Sequence, residues 1–477
     1  MIVKVKPDDP DFVLLGATNL FRSRDGFATQ PSGGYDNSSD TQKDEYWIGG
    51  YDKDNDISQY AGQHPDQHMI AFNPNDPNVV WAGHDGGLSR TSDITAAPAN
   101  WEDKDRGYIT SQFYAADIPK ASGDERLMGG TQDNGTPFFQ KNQSGTQTST
   151  DISAGDGGYA TFTDNYLFTS SQLGRTLRWS EDRTQLAYVQ PVSAEGQLFI
   201  HPYEVDPNDE TVMYYPEEDH LWRNTSIDEI PSGNGGNGTS TGWDELNNIS
   251  VGSQHEITAL EASENPGNIL YFAGYNPNLN PVIKKLTNAQ SSTSEATDVS
   301  ISTGFDITGA YIKDIAINPV NANEVMAVMS NYNIVGLFHS TDGGESWTAV
   351  EGNLTGDSQN PGPSLRSATM IPADDGTIYV VGTSTGLYST QLLDGQDTVW
   401  GQEASNSLGN VVTEHLSSRV TDGDIVAATH GRGIFYGDFG GTTSARFIVA
   451  DPFEARPEDN LTIKANDFEF NTNASAN

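Results

Sequence analysis

The chain contains no cysteine. That absence removes disulfide frameworks, thiolate zinc sites and thiol nucleophiles together. Cations are also scarce: 25 Lys plus Arg stand against 66 Asp plus Glu, a formal charge of −41 over 477 residues. Such a surface repels DNA, RNA and anionic lipid, so no nucleic-acid partner is expected. It favours solubility in salt and attraction of divalent cations, which fits a saline extracellular setting. No apolar run approaches the roughly 18 residues that a membrane-spanning helix needs. The opening MIVKVKPDDPDF lacks the apolar core of a signal peptide, so the chain reads as mature, trimmed or truncated. Hydrophobic residues make up only 35%, yet 8 Trp, 19 Tyr and 19 Phe argue for a packed core over disorder.

What is present is a repeat. An apolar strand, a Pro/Asn/Asp turn, a second apolar strand ending in Gly or Ala, a short turn and a third strand recur along the chain. Copies start near Val3, Met69, Phe113, Tyr159, Phe199, Ile257, Ile312, Ser367 and Val411, about 40–65 residues apart. The copies at Tyr159 and Phe199 are the least regular. Turns such as NPND, NPVN and PADDG between alternating strands signal hairpins. Three or four strands per unit, with no long amphipathic helix between them, predict an all-β propeller of about nine four-stranded blades. These form one large ring or part of a two-ring protein. The propeller is expected over 1–439, with a polar, acidic loop insertion at about 30–62. The strand at Val3 is a candidate to close the ring with the blade ending at Phe439. Residues 440–477 read as a linker or the start of a following module.

The sharpest local motif is Ser340-Thr-Asp342-Gly-Gly344-Glu-Ser-Trp347, an Asp-box of the form S-x-D-x-G-x-x-W. Its role is structural: Ser and Asp bond a tight turn, Gly takes a left-handed conformation and Trp packs between blades. Degenerate copies stand at Ser23-Arg-Asp25-Gly26 and at Thr91-Ser-Asp93 with Trp101. Trp47, Trp222, Trp243 and Trp400 are candidates for stacking on sugars or, equally, for packing between blades.

His64, Asp66 and His68 would share one face of a strand, where two imidazoles and a carboxylate suit zinc or another divalent ion. The alternative is that they bond blade turns. His84, Asp85, Asp133, Asp156 and His430 occupy comparable turn positions in other units and would converge near a channel mouth if the blades are radial. Asp52, Asp54 and Asp56 form a D-x-D-x-D run suited to calcium. Ile57 and Gln63 depart from an EF-hand at its sixth and twelfth positions, and a solvated acidic loop is the competing reading. A glycosidase would need two carboxylates across a cleft, for which Asp85, Asp133 and Asp156 are the candidates. No nucleophile elbow, helix-following phosphate loop or sialidase-like arginine cluster stands out, and no organic cofactor is expected.

The ordered strings HPDQH at 64–68, NPNDPNVVWAGHDGGLSRT, GGTQDNGTPF, GDGGYA, SNYNIVGLFHSTDGGESW, GTSTGLYST and ATHGRGIF resemble the secreted Asp-box (BNR) propellers of Bacteroidetes-type bacteria. This group is related to sortilin-like and xyloglucanase-like propellers. The resemblance runs from about residue 60 to 437. It implies a secreted or cell-surface location, often with export by type IX secretion and a C-terminal sorting domain, which is not visible here. The expected function is a non-catalytic binding or adhesion propeller for a glycan or a surface protein, with calcium or another divalent metal. The alternatives are a glycoside hydrolase acting on a polysaccharide, and a structural subunit of a surface assembly joined through the C-terminal tail.

Overall fold

Among the described residues, nine antiparallel sheets, each a simple meander, account for nearly all the regular structure. The computed structural model describes residues 1–29, 43–51, 59–105, 110–140, 149–302, 304–356, 359, 361–373, 376–439, 446–450 and 464–467. Eight of the sheets have four strands and the ninth has five. In chain order their first strands are Ile2–Lys6, Gln67–Asn73, Phe113–Asp117, Gly157–Phe162, Glu204–Val205, Glu256–Ala262, Ile312–Asn318, Leu365–Ala373 and Thr413–Ser418. These are numbered sheets 1 to 9. Eight begin within two residues of the repeat starts read from the sequence. Sheet 5 is the exception: Phe199 sits in the loop before it, and only Glu204–Val205 form the first strand.

The chain divides at Ile109/Thr110. Met1–Ile109 holds sheets 1 and 2, packed through a core that includes Phe12, Leu14, Trp47, Ile70, Val80 and Trp101. Thr110–Asn477 holds sheets 3 to 9, which close on themselves. Neighbouring sheets pack through their first strands, sheets 4 and 5 through a core that includes Phe168, Val189, Tyr203 and Val205, and the last sheet returns to the first. Phe113 and Ala116 of sheet 3 share a core with Val426, Ala428 and Ile434 of sheet 9. The result is a closed seven-bladed propeller within this unit.

Closure uses no borrowed strand. Val3 pairs with Leu15 inside sheet 1, so the expected role of the Val3 strand is not met. The edge of sheet 9 is instead extended by Arg446–Ala450, with Ile434 opposite Ala450, and then by Lys464–Asp467. Backbone pairing was available locally, and a strand of the same blade has far less loop to close. Within the expected insertion at 30–62, Trp47–Gly49 forms the outer strand of sheet 1, preceded by a single helical turn at Lys43–Tyr46.

The blades are joined by two recurring side-chain contacts. Buried arginines reach forward. Arg22 donates to the Ile94 and Ala96 carbonyls of sheet 2 at 2.5 and 2.7 Å. Arg178 of sheet 4 donates to those of Ile227 and Ile230 in sheet 5. Arg223 of sheet 5 reaches Ala289 and Ser292 of sheet 6, both at 2.8 Å. Tryptophans reach back. The indole N–H groups of Trp101, Trp243, Trp347 and Trp400 donate to the carbonyls of Ile48, Val189, Val299 and Val350, all at 2.8–2.9 Å. A buried guanidinium is costly unless its donors are satisfied, and loop carbonyls satisfy these; desolvation still lowers the Arg22 pKa to about 10.

Candidate functional site

Within the seven-bladed unit the first strands surround a central bore of about 570 Å³. Strands of period two send alternate side chains inward, and here the inward positions are polar. They include Asp117, Tyr159, Thr161, Glu204, Glu261, Asp314, Thr369 and His415. Several are committed to joining neighbouring blades. Asp117 accepts from Ser417 Oγ at 2.5 Å on one side and from the Phe162 amide at 2.7 Å on the other. Asp314 accepts from Ser367 Oγ at 2.7 Å and from the Ala368 amide at 3.0 Å. Glu204 accepts from the Ala262 amide at 3.3 Å.

Burial pushes the Asp117 and Asp314 carboxyls up to about 6. Glu204 and Glu261 are raised as well, first by burial; for Glu261 the charge of Glu204 adds to it. Burial, reinforced by Lys313, lowers His415 to about 4, so it stays neutral and accepts from the Ala116 amide at 3.4 Å. Tyr159 rests edge-on against the His415 ring. At one mouth, Glu414 lies between Lys313 at 3.4 Å and Arg366 at 3.8 Å. The bore is thus a partly protonated acidic belt whose carboxylates hold blades together.

The residues singled out in the sequence fall in several places. His64 and Asp66 precede sheet 2 and do not share its first strand with His68, because Pro65 intervenes and Asp66 takes a φ of +61°. The His64 ring stacks on His84 at 5.8 Å, and His68 pairs with Asp85. Burial, with the neighbouring His64, lowers His84 to about 4. His84 and Asp85 belong to the Met1–Ile109 unit; Asp133, Asp156 and His430 belong to the propeller. Asp156 Oδ1 accepts from the Asp133 amide at 3.0 Å, and both carboxylates help raise Tyr114 to about 12 behind the larger effect of burial. The backbone at His430 bridges to Gln112, where sheets 9 and 3 meet. Asp52, Asp54 and Asp56 lie outside the described residues.

The Asp-box forms as its residue types require. Ser340 Oγ donates to Asp342 Oδ1 at 2.8 Å and accepts from the Gly344 amide at 2.9 Å. Asp342 accepts from the Ser346 amide and hydroxyl, which hold its carboxyl near 2. Gly343 and Gly344 have φ of +77° and +90°, where a Cβ is disfavoured. Ser23 and Asp25 repeat the arrangement, with Ser23 Oγ bonding Asp25 at 2.9 Å. Trp47, Trp222, Trp243 and Trp400 are all buried between or within blades, which accounts for them without sugar stacking.

One feature escaped the sequence reading. In every meander the connection from second to third strand and the connection into the next blade emerge at the same end. That entry face of the propeller carries Leu173, Phe199, Leu279, Phe305 and Tyr332, each between 37 and 62% exposed. The loops around three of them are tied together. The Gly309 amide donates to the Leu279 carbonyl at 2.9 Å, Asn331 Nδ2 donates to the Gly309 carbonyl at 3.1 Å, and Thr308 Oγ1 donates to Asn280 Oδ1 at 3.2 Å. Only the topology brings these scattered residues to one end, so no sequence window could show it. Among the described residues, one group has three metal-capable donors within 4.8 Å of one another: Glu217, His220 and Glu245. Among the described residues no helix is long and apolar enough to cross a membrane.

No protein-family model matches the chain, and no curated protein does. Solved structures do. A GH74 enzyme from Niastella koreensis aligns at 14% identity and a TM-score of 0.49, over 91% of this chain and 59% of that one. The chain therefore spans about three-fifths of that enzyme's length. YCF48 from Cyanidioschyzon merolae aligns at 10% identity and a TM-score of 0.46, over 69% of this chain and 95% of that one. The Cps50 (Swd1) β-propeller domain of Myceliophteria thermophila aligns at 10% identity and a TM-score of 0.43, over 66% and 93%.

Proposed function

We propose that the chain is a non-catalytic, extracellular binding propeller that docks a neutral polysaccharide on the entry face of its seven-bladed unit. The observation that carries this reading is the gathering of Leu173, Phe199, Leu279, Phe305 and Tyr332 on one face. Exposed large apolar side chains grouped on one surface mark interaction sites, and aromatic faces suit pyranose rings. Asn278 and Asn280 are exposed among them and offer side-chain Nδ2 donors for hydroxyl groups. The charge of −41 disfavours acidic glycans and selects for neutral ones. The bore supports the non-catalytic side of the reading. Asp117 and Asp314 each bond neighbouring blades, whereas a glycosidase needs its two carboxylates free to face a sugar.

The test is retention on a panel of immobilised neutral polysaccharides, read alongside release of reducing ends. Binding without turnover, weakened at least tenfold by Phe199→Ser with Tyr332→Ser, is the expected result. Turnover that is lost in Glu261→Gln would replace the reading with a hydrolase. Retention of a protein partner in place of any glycan, lost in the same double variant, would keep the face and change the ligand.

A further inference from the structure

We propose that Glu217, His220 and Glu245, on the outer strands of sheet 5, form a binding site for a single transition-metal ion, best suited to Zn²⁺. This site is separate from the bore; it lies on the entry face, at the turn between the second and third strands of sheet 5, and it stands whichever ligand that face takes.

Strand register assembles it. Glu217 ends the second strand of sheet 5 and pairs with His220, which opens the third. Glu245 on the fourth strand pairs with Trp222, two residues along from His220 and on the same face. His220 Nε2 therefore points between two carboxylates, 3.6 Å from Glu217 Oε2 and 3.4 Å from Glu245 Oε1. It is buried and has no hydrogen-bond partner. On the far side of the ring, Nδ1 lies 3.4 Å from Asp219 Oδ1. In the tautomer that carries its proton on Nδ1, the Nε2 lone pair faces two carboxylates and is open to a metal ion. Three electron-rich atoms turned on one another repel unless a cation lies between them.

The spacing suits zinc. A tetrahedron with bonds of about 2.1 Å has edges of about 3.4 Å, and the two N···O separations, 3.4 and 3.6 Å, lie at or just above that length. One nitrogen and two oxygen donors match a borderline ion; calcium would ask for about six to eight oxygens. The outer supports of a metal site are also in place. Asp219 is itself held by Ser250 Oγ at 2.8 Å, the Glu195 amide donates to Glu217 Oε1 at 3.0 Å, and Trp222 Nε1 donates to Glu217 Oε2. Glu245 is 42% exposed, so water can supply a fourth ligand from its side.

The test uses the full chain stripped with chelator and titrated calorimetrically with Zn²⁺ near pH 7.5. One equivalent binding at micromolar Kd or tighter is expected, together with a rise in Tm of a few degrees. Co²⁺ in its place should give intense visible bands of tetrahedral type and should quench Trp222 fluorescence. His220→Gln and, independently, the exposed Glu245→Gln should each weaken binding at least tenfold. Should His220→Gln fail to fold, Glu245→Gln alone decides. Absence of stoichiometric binding, or equal binding by wild type and both variants, would overturn the site.

Discussion

Sheets 1 and 2 and the seven-bladed unit are built from the same blade, yet their surroundings differ. In the Met1–Ile109 unit two sheets share one interface. Their first strands carry exposed Val3 and Val5, at 57 and 49%, and Met69, at 62%. In the propeller every sheet has two neighbours, and the same strand faces a bore whose polar atoms are bonded across blades. The difference teaches what closure adds. It converts the first strand from an exposed edge into a lining, and it gives each blade a second set of contacts. The forward arginine and the backward tryptophan occur in both units, so they belong to the blade and do not depend on closure.

Substitutions can break that comparison. The largest effect is expected at Arg419, which is specific to closure. It donates to the Pro119 and Asp124 carbonyls of sheet 3 and pairs with Asp422 and Asp424. Arg419→Met strips a buried charge network of its cation, and a loss of about 3–5 kcal/mol is expected in denaturant unfolding. A loss under ~1 kcal/mol would mean that sheets 3 and 9 are held by apolar packing alone.

Next come the forward arginines. Arg22→Met leaves three carbonyls unsatisfied and Arg178→Met two, and each should cost about 2–3 kcal/mol. Sheets 1 and 2 share a single interface, so hydrogen exchange should accelerate more around Leu20–Ser23 in Arg22→Met than around Arg175–Ser180 in Arg178→Met. The reverse order would show that closure confers no local protection.

A pH test separates the bore from the rest. The Asp314 carboxyl is raised from 3.8 to about 6 in the folded state. Its contribution is fully present below the unfolded value and is lost as pH rises through 6. Asp314→Asn keeps an acceptor for Ala368 and removes the ionised form. The variant should be more stable than wild type by about 1–2 kcal/mol at pH 8, with the advantage fading toward pH 5. Because the comparison is a difference, the neutral histidines cancel. A gap that does not change with pH would mean the bore leaves Asp314 unperturbed.

The smallest effect concerns the Asp-box, complete at Ser340 in the propeller and degenerate at Ser23 and Thr91 in the Met1–Ile109 unit. Asp342→Ala and Asp25→Ala should each lower the melting temperature slightly through lost turn bonds. Equal losses in thermal melts would show that the turn is a local device; a clearly larger loss at one would tie it to its blade's neighbours.

Much of this was legible. The repeat starts located eight of nine first strands because hairpin turns and alternating apolar residues are local signals. Ser340 to Trp347 spelled out a turn whose bonds lie within a few residues. Sheet 5 was harder to place, since its first strand has two residues and an exposed Phe199 imitated the start. The split at Ile109/Thr110 leaves no compositional mark. Arg22, Arg178 and Arg223 looked like ordinary strand residues, because their partners are carbonyls 49 to 74 positions away. Glu217, His220 and Glu245 had no motif spacing, for the same reason: cross-strand register brings them together.

The blade junctions also bear on how such a chain can change over generations. Each arginine or tryptophan at a junction is received by main-chain oxygen, which every amino acid provides. The receiving loop can drift through almost any composition without loosening the joint, while a single donor on the other side is kept. Copies descended from one ancestral blade can therefore diverge until little shared text remains, and still assemble in the same order.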